Sequence, residues 1–486
     1  MTALVSLDRR DAAPLSEQLY RGLRDAIRTG RVPAGARLPS SRAAAAALSV
    51  SRNTVVAAYD LLRAEGAIAA RHGAAPRVLE ISIGSTIPPV AQRAVMLGPR
   101  GAAVAAPARA ELYAAPSGWF MPGAPDERLF PRAAWARALR KAALLSHGPM
   151  SGYADYAGRP SLRAALAARL AADRGLMVSA GQVIVVSSAQ AAFNLLAQVL
   201  AEPGNRALVE TPGYAGARAA FAAAGLAVSP LPVDAAGADI GRVTGAARLA
   251  YVTPSNQYPL GVRMALHRRE ALADWARRHD AWIVEDDYDG EFHWRGRAVA
   301  PLQSIAPDVV VYVGSAAKSL MPALRLGWIA APEPLVAPLR EGVRNLGLGA
   351  NLHAQAAFEA FVDDGAWRAH IRRISSAYAA HGKLLADALE DRFGAAMNVS
   401  RPDGGLQLVA RLTTLETEAA AMAALGSAGF AVAALSRYGF GAPGPPGLVI
   451  GFADADPTLV RRFCNTLDRT IPETERARST RAARDP

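Results

Sequence analysis

The sequence predicts an α/β protein in two parts, a small helical N-terminal domain and a large domain built on a parallel sheet. Three observations support this prediction. Apolar residues recur every four positions between Leu15 and Ile27, which is the period of an amphipathic helix. Residues 79–117 are rich in Ala, Pro and Gly and show little periodicity, as linkers do. From residue 118 to residue 470, apolar runs alternate with amphipathic helices, which indicates an α/β sheet.

Composition narrows the class of protein. The 486 residues suffice for two or three domains, and the net charge of +12 suits a polyanionic partner. Residues 1–80 hold twelve arginines against seven acidic residues. The single cysteine, Cys464, excludes a disulfide within the chain, and no apolar stretch is long enough to span a bilayer. Since the N-terminus also lacks a secretory pattern, we expect a reduced, cytoplasmic protein whose polar tail, residues 471–486, is basic and disordered.

Two short helices around a tight turn follow the first helix. A serine cap at Ser40 precedes a helix that runs to Leu48, and the turn at Ser49 leads into a second helix. This arrangement fits a helix-turn-helix, in which the first turn of the second helix contacts base edges and phosphates. Residues 71–73 fit a wing turn. The pattern alone leaves open an all-helical adaptor with a solvated basic face.

A resemblance favours DNA binding. The stretch PLSEQLYRGLRDAIRTGRVPAGARLPSSRAAAAALSVSRNTVVAAYDLLRAEG resembles the GntR-type winged helix, which makes residues 1–78 a DNA-binding domain and double-stranded operator DNA its partner. Relatives often end the wing with a Gly-Ser-Gly-Thr-like turn, whereas residues 73–76 here read Gly-Ala-Ala-Pro. The resemblance implies DNA contacts from Arg42, Arg52, Asn53 and Thr54, with Ser51, His72 and Gly73 assisting.

Five apolar runs in the large region predict parallel strands, and a polar motif follows each run. In open α/β sheets ligands bind beyond the carboxyl ends of the strands, so the five motifs are expected to converge on one crevice. The motifs cover residues 187–190, 211–214, 253–259, 285–288 and 314–319.

Lys318 lies in the last of these motifs. Only three of the 54 basic residues are lysines, so the chain uses arginine for almost every positive charge. Arginine cannot act as an amine nucleophile, whereas a desolvated lysine can. Lys318 is therefore a candidate Schiff-base residue, although a solvated surface lysine is the ordinary alternative.

The motifs together suit pyridoxal phosphate, which needs an amine, an acid for its ring nitrogen and an anion site for its phosphate. Lys318 supplies the amine, and residues 285–287 supply a carboxylate. Residues 188–190 open a helix whose amides favour a phosphate, while Arg325 adds a cation and Ser315 a hydroxyl. Tyr214 suits stacking on the ring. A metal site is not expected, because the acidic run matches a calcium-binding loop only in part.

A second resemblance covers the large region. The motifs WFMPGAPDERLFP, VETPGYAGAR, TPSNQYPLG, VEDDYDGEF and GSAAKSLMPALRLGW resemble, in order, the fold-type I PLP-dependent aminotransferase-like domain of MocR/GabR regulators. The resemblance implies that residues 118–470 bind the cofactor and form a homodimer, with Lys318 as the aldimine lysine. It further implies Asp286 at the ring nitrogen, Tyr288 at the ring hydroxyl, Tyr214 stacked on the ring, Ser188, Ala189, Gln190, Ser315 and Arg325 around the phosphate, Asn256 as a further cofactor residue, and Tyr153 reaching the second subunit's site.

Some positions depart from the pattern of active aminotransferases. Val449 stands where this fold usually places an arginine for the substrate carboxylate, and Arg437 is a candidate substitute. Ser188 replaces a usual glycine, and Gln407 stands where relatives often carry histidine. We therefore expect cofactor binding without efficient transamination.

The function that these features predict is a DNA-binding transcriptional regulator that senses pyridoxal phosphate, or an amine or amino acid effector, through an aldimine at Lys318. Two alternatives remain open at this point. One is an active aminotransferase with a DNA-binding appendage, and the other is a cofactor-blind dimeric repressor.

Overall fold

The computed structural model describes residues 5–9, 11, 13–69, 75–79, 97–108, 110–145, 148, 155–294 and 300–471. The chain divides into two compact units, residues 1–96 and residues 97–486, here called the head unit and the large unit. The head unit has a core of its own, drawn from buried residues between Val5 and Val78. Buried residues between Leu112 and Ile471 form the cores of the large unit.

The head unit contains the predicted helix-turn-helix. Serine side chains cap both of its helices, because Ser40 accepts a hydrogen bond from the Ala43 amide and Ser51 accepts one from the Thr54 amide. Between the two helices the chain turns at Ser49, which adopts the left-handed conformation with φ of 52°. The elements are α1 (Leu15–Arg28), α2 (Ser41–Leu48), α3 (Arg52–Ala64) and an antiparallel pair, β1 (Ile68–Ala69) and β2 (Arg77–Val78).

The inward face of α3 holds the head unit together. Val55, Tyr59 and Leu62 are buried, and they pack with Leu19 and Leu23 of α1 in one cluster. The Tyr59 hydroxyl donates to the carbonyl oxygen of residue 39 at 3.0 Å, so this polar group is not left unpaired in the core. The predicted wing turn at residues 71–73 lies outside the described residues.

An eight-stranded mixed sheet forms the centre of the large unit. Its order is β3-β10-β9-β8-β7-β4-β5-β6, and β10 is antiparallel to both of its neighbours. The five predicted strands are present and all run in one direction, as β3, β4, β7, β8 and β9. The strands are β3 (Val183–Val186), β4 (Arg206–Thr211), β5 (Ala227–Asp234), β6 (Gly237–Ala238), β7 (Leu249–Val252), β8 (Trp282–Asp286), β9 (Val310–Ser315) and β10 (Gly327–Ala330).

Helices cover both faces of this sheet. Successive residues of a strand point to opposite faces, so Val183 and Val185 join one core cluster while Ile184 and Val186 join another. Because both faces are buried, the strands read as continuous apolar runs. One face packs on α5 (Arg132–Leu144), α6 (Pro160–Arg174) and α11 (Leu352–Asp363), the other on α7 (Ala189–Leu200), α8 (Ala215–Ala223) and α10 (Glu333–Leu346). A further helix, α9 (Leu266–Arg278), packs with residues of β4, β7 and β8.

A smaller antiparallel sheet follows in the chain, with the order β11-β12-β14-β13. Its apolar side chains pack against three helices in one large cluster. The elements are α12 (Ala366–Phe393), β11 (Asn398–Val399), β12 (Gln407–Arg411), α13 (Leu415–Ser427), β13 (Ala433–Ala434), β14 (Gly447–Gly451) and α14 (Pro457–Leu467).

Part of the predicted linker, residues 79–117, forms regular structure. A helix, α4 (Pro99–Ala105), packs on α8, and its Arg100 donates to the Ala223 carbonyl oxygen at 3.3 Å. Tyr113 pairs with Ala433 as an isolated β-bridge. Alanine and glycine suggested a linker, but alanine is also the strongest helix former. Residues 80–96 lie outside the described residues, so a linker there stays a prediction.

At the other end of the chain, Ile471 is buried in the large unit, whereas residues 472–486 of the predicted tail lie outside the described residues. Of the helices in the described ranges, none has the length together with the apolar character that a membrane crossing needs.

We predict that Leu62→Ala loosens the head unit alone. Removing this fully buried side chain leaves a cavity, which costs about 2–5 kcal/mol. Hydrogen exchange of head-unit amides is expected to accelerate while exchange in residues 97–471 stays unchanged. The control is Leu61→Ala, since Leu61 is 47% exposed. Equal acceleration in both variants would contradict the assigned core.

Candidate functional site

A cavity of about 250 Å³ lies at the carboxyl ends of the large sheet's strands. Nine of the residues predicted to bind the cofactor line it, so the structure brings together motifs that are spread over more than 130 positions of the sequence. These residues are Ser188, Ala189, Gln190, Tyr214, Asp286, Tyr288, Ser315, Lys318 and Arg325.

Lys318 lies on the turn after β9, and its side chain is half-buried. Its Nζ atom donates to the Gly123 carbonyl oxygen at 2.7 Å. Gly123 has φ of +67°, and a β-carbon there would lie only 2.9 Å from Nζ. The absence of a side chain at Gly123 therefore leaves room for the amine at the cavity.

Asp286 is the last residue of β8, and it is buried. Its Oδ2 accepts a hydrogen bond from the Tyr251 hydroxyl at 2.6 Å, whereas Oδ1 has no partner among the described residues. Burial raises the pKa of Asp286 to about 7, and the neighbouring Asp287 acts in the same direction. A buried carboxyl oxygen without a partner beside a cavity suits a ligand that donates a hydrogen bond, such as a protonated ring nitrogen.

Three paired strands bring polar groups together at one end of the cavity. Gly327 of β10 pairs with both Val186 of β3 and Ser315 of β9. Just beyond Val186, Ser188 caps α7 and accepts a hydrogen bond from the Ala191 amide at 3.1 Å. The helix N-terminus, the serine hydroxyls and the guanidinium of Arg325 favour a phosphate here.

Tyr288 is held from two sides. Its hydroxyl donates to the Asn256 carbonyl oxygen at 3.1 Å and accepts from the Gln407 side-chain amide at 3.0 Å. Asn256 is not among the residues that line the cavity, and its amide donates to Asp289 at 2.6 Å. Asn256 and Gln407 therefore orient Tyr288, while burial raises the pKa of Tyr288 well above its usual range.

Aromatic side chains form another wall of the cavity. Tyr214 packs edge-to-face with Phe193 and Tyr258, and the Tyr258 hydroxyl lies 3.1 Å from the Tyr438 hydroxyl. Tyr113 also lines this wall.

Val449 is fully buried in the cluster that contains Tyr258 and Tyr438. Arg437 does not replace the expected arginine, because its exposed side chain donates to the Glu111 carbonyl oxygen and does not line the cavity. Tyr113, Tyr214 and Tyr258 therefore line this side of the cavity, and Val449 packs in the same buried cluster without lining it.

The acidic run at the end of β8, residues 285–287, divides between the two faces of the sheet. Asp286 faces the Tyr251 side, whereas Asp287 binds Arg174 through both carboxylate oxygens, at 2.8 and 2.9 Å. The Tyr312 hydroxyl donates to Asp287 at 2.7 Å. Glu285 accepts two backbone amide hydrogens at 2.8 Å each. Because alternate strand residues face opposite sides, the run of three acids does not form one cluster.

Glu210, near the end of β4, is a further buried acid beside the site. Its Oε2 accepts from the Thr253 hydroxyl at 2.6 Å and from the Gln257 amide at 3.2 Å, whereas Oε1 has no partner among the described residues. Burial raises the pKa of Glu210 to about 7.

Some functional residues were not selected from the sequence. Tyr251 holds Asp286, yet only its position as the lone hydroxyl in an otherwise apolar strand marks it. Tyr258 and Gly123 lie in motifs that were recognised, but nothing in their spacing places them at the cavity. Tyr153 lies outside the described residues.

In the head unit, the predicted DNA-contact residues have two different tasks. The Ser51 and Thr54 hydroxyls lie 2.8 Å apart at the start of α3, where Ser51 also caps the helix. Arg42, Arg52 and Asn53 are exposed at the same end of the motif, and Arg52 donates to the Ser41 hydroxyl at 3.3 Å. His72 and Gly73 lie outside the described residues.

Comparison with known proteins places both units in families. Residues 15–78 match the bacterial regulatory proteins of the gntR family, and residues 124–467 match the aminotransferases of class I and II. The probable rhizopine catabolism regulatory protein MocR of Rhizobium meliloti is 38% identical, over 96% of this chain and 95% of that protein. The chain belongs to the MocR-type regulators. The pyridoxine biosynthesis transcriptional regulator PdxR of Corynebacterium glutamicum is 30% identical over 94% of this chain and 96% of its own length.

Solved structures share the fold of the large unit of this MocR-type regulator. LysN, the α-aminoadipate aminotransferase of Thermus thermophilus, has a TM-score of 0.69 and 22% identity, and the match covers 77% of this chain and 97% of LysN. The multiple substrate aminotransferase of Thermococcus profundus has a TM-score of 0.66 and 23% identity, over 74% and 92% of the two chains. These matches confirm the fold-type I assignment and carry no further functional meaning.

Pyridoxal phosphate is the cofactor of this aminotransferase-like domain, and the cavity of the MocR-type regulator fits it. The unpartnered oxygen of Asp286 can accept a hydrogen bond, the amine of Lys318 reaches the same cavity, and the start of α7 can receive an anion. Each requirement of the cofactor therefore has a group of this chain beside it.

We predict that Glu210 makes stability fall as pH rises. Because the folded state raises the pKa of Glu210 from 4.5 to about 7, folding retains a proton that the unfolded chain releases between these values. Between pH 4.5 and pH 8, the fall in the free energy of unfolding is expected to be smaller in Glu210→Gln than in wild type, by up to about 3 kcal/mol. Urea unfolding of cofactor-free protein at several pH values measures it, with exposed Glu202→Gln as the control. An unchanged pH dependence in Glu210→Gln would exclude this role.

Proposed function

We propose that this protein is a dimeric, cytoplasmic regulator in which pyridoxal phosphate, alone or with an amine, changes how the head units bind an operator. The observation that supports this most directly is one cavity that contains Lys318, the unpartnered oxygen of Asp286 and the start of α7, in a chain that also has a helix-turn-helix.

We assign the cofactor roles as follows. Lys318 supplies the amine, Asp286 accepts from the ring nitrogen, and Tyr288 faces the ring hydroxyl with Asn256 orienting it. The bound cofactor supplies a carbonyl-type centre that exchanges between primary amines, together with a ring that absorbs near-visible light. Tyr214 stacks on the ring, Ser188, Ala189, Gln190, Ser315 and Arg325 hold the phosphate, and Tyr153 reaches the second subunit's site.

We assign DNA recognition to the head unit. Arg42, Arg52 and Asn53 are exposed at the base-facing end of the motif, while Ser51 and Thr54 fix the first turn of α3. His72 and Gly73 are proposed to assist from the wing. A ligand of the large unit affects the operator complex only through its different affinity for the two states of the protein.

The names of two relatives point to two kinds of metabolism that a regulator of this type can control. MocR is named for rhizopine catabolism and PdxR for pyridoxine biosynthesis. The buried Val449 and the distant Arg437 support a sensing role over efficient transamination, because neither provides a cation at the cavity.

We predict that Lys318→Ala separates cofactor attachment from DNA binding. The variant should lose the near-visible absorption band that wild-type protein gains with pyridoxal phosphate, because no amine remains at the cavity. It should still bind operator DNA, but without a response to the cofactor. Absorption titration and fluorescence anisotropy with labelled operator measure the two properties.

The matched control is Lys141→Ala, which removes an exposed lysine from α5 and should behave like wild type. A wild-type protein that gains no band would favour a cofactor-blind repressor. Steady turnover of an amino donor with a keto acid, lost in Lys318→Ala, would favour an active aminotransferase. DNA binding that ignores the cofactor in wild type would contradict the proposed regulation.

We predict that Arg52→Ala weakens operator binding. If Arg52 reads a base through two hydrogen bonds, its loss costs about 1–3 kcal/mol and relaxes the preference at that base. The control is Arg63→Ala, at the other end of α3, where Arg63 pairs with Asp60. Binding assays on operator variants measure both effects, and equal affinities for Arg52→Ala and wild type would remove Arg52 from the reading surface.

A further inference from the structure

We propose that a segment near the start of the large unit, residues 113–124, responds to whether Lys318 is covalently bonded to the cofactor. This segment, here called the strap, is held by the Lys318 amine while that amine is free, and it loosens once the amine has condensed with pyridoxal phosphate. The inference rests on the proposed function and deepens it, because it names the part of the chain that carries the signal away from the cavity.

The strap is fastened to the small sheet by its backbone. The Ala114 amide donates to the Val432 carbonyl oxygen at 2.8 Å, and the Ala431 amide donates to the Trp119 carbonyl oxygen at 2.8 Å. Both bonds are made to the residues that lead into β13. They involve no group that lines the cofactor cavity, so they do not depend on what the cavity holds.

The strap also reaches the cofactor cavity. Tyr113 and Pro122 line the cavity. Gly123 is buried, and its carbonyl oxygen accepts the 2.7 Å hydrogen bond from Lys318 Nζ. The strap therefore connects the reactive amine with the small sheet through one continuous stretch of backbone.

The hydrogen bond between Lys318 and Gly123 changes with the chemistry of the amine. When Nζ condenses with an aldehyde, the new nitrogen–carbon bond forms and both hydrogens of the neutral amine leave with the aldehyde oxygen as water. The nitrogen then has no hydrogen, or one if it is protonated, whereas a free ammonium group has three donors. A buried carbonyl oxygen that loses a donor is destabilised, so the strap is held less firmly in the condensed state.

A primary amine effector reverses this change. Its nitrogen takes the place of Nζ on the cofactor carbon, and its two hydrogens pass to Nζ, which becomes a free amine again. Lys318 then regains the donors that bind the Gly123 carbonyl oxygen. The strap is thus expected to distinguish cofactor alone from cofactor joined to an amine, although the cavity is occupied in both cases.

The strap lies next to the connection between the two units. Before it in the chain, α4 packs on α8, where Arg100 donates to the Ala223 carbonyl oxygen. Before α4 the chain passes into the head unit, which ends at residue 96. A change in the strap therefore occurs near the large unit's end of this connection. It alters operator binding to the extent that the two states of the protein differ in affinity for DNA.

The first test uses full-length protein without cofactor. Lys318→Met removes the donors at similar length, whereas Lys318→Arg keeps donors but cannot condense with an aldehyde. We expect amide hydrogen exchange in residues 119–126 to be about fivefold faster in Lys318→Met than in wild type, and slow in Lys318→Arg. Exchange in β7 is expected to stay unchanged in both variants, which shows that the fold is intact. The matched control is the exposed Lys141→Met, which should exchange like wild type.

The second test compares two ligands on the wild-type protein. Pyridoxine 5′-phosphate has a hydroxymethyl group in place of the aldehyde, so it can fill the cavity without a bond to Nζ. At saturation, confirmed by calorimetry, residues 119–126 are expected to exchange faster with pyridoxal phosphate than with pyridoxine phosphate. In fluorescence anisotropy, operator affinity of cofactor-free Lys318→Met should match that of cofactor-loaded wild type, and Lys318→Arg should match cofactor-free wild type.

Slow exchange of the strap in cofactor-free Lys318→Met, or equal exchange with the two ligands, would overturn the inference. Operator binding that responds to pyridoxal phosphate would still support the proposed function in that case. A strap that loosens without any change in operator affinity would overturn its role as a carrier of the signal. If wild-type protein does not bind pyridoxal phosphate, the proposed function fails, and the cofactor-free variants show separately whether Lys318 holds the strap.

Discussion

The site in the large unit depends on one constraint, the antiparallel insertion of β10 between β3 and β9. Because β10 runs opposite to both neighbours, its first residue lies beside the last residues of the other two strands. That first residue is Gly327, and a β-carbon there would lie 2.9 Å from the backbone at Ser188. Only a residue without a side chain lets the start of α7 approach the end of β9 and the beginning of β10 so closely.

The same region contains an unusual number of buried acids, and the structure treats them in two ways. Asp287 pairs with Arg174, and Glu285 accepts two backbone amide hydrogens, so both carboxyl groups have partners within the fold. Asp286 and Glu210 each keep one oxygen without a partner among the described residues, and both favour a proton near neutral pH. Leaving these two oxygens without a partner costs stability, but it provides hydrogen-bond acceptors for a ligand, as functional sites often do.

Sequence reasoning located the reactive groups better than the groups that hold them. Lys318 and Asp286 follow buried strands, and a parallel sheet gathers such positions at one edge. Gly123 is 195 residues away from its partner Lys318, and only tertiary packing brings them together. Tyr251 appeared as part of an apolar strand, since periodicity does not show which polar group its hydroxyl meets. The small residues of α4 suggested a linker, since composition does not reveal a packing partner such as α8.

The scarcity of lysine has a practical consequence for chemical labelling. Lys141 and Lys383 are exposed, whereas Lys318 is half-buried and donates a hydrogen bond to a carbonyl oxygen. An acylating reagent therefore meets two exposed side-chain amines and one half-buried amine, and peptide masses can report each one separately. Protection of Lys318 from acylation would therefore measure the fraction of protein whose cavity is occupied. This measurement can be made on the operator-bound protein without a spectroscopic signal.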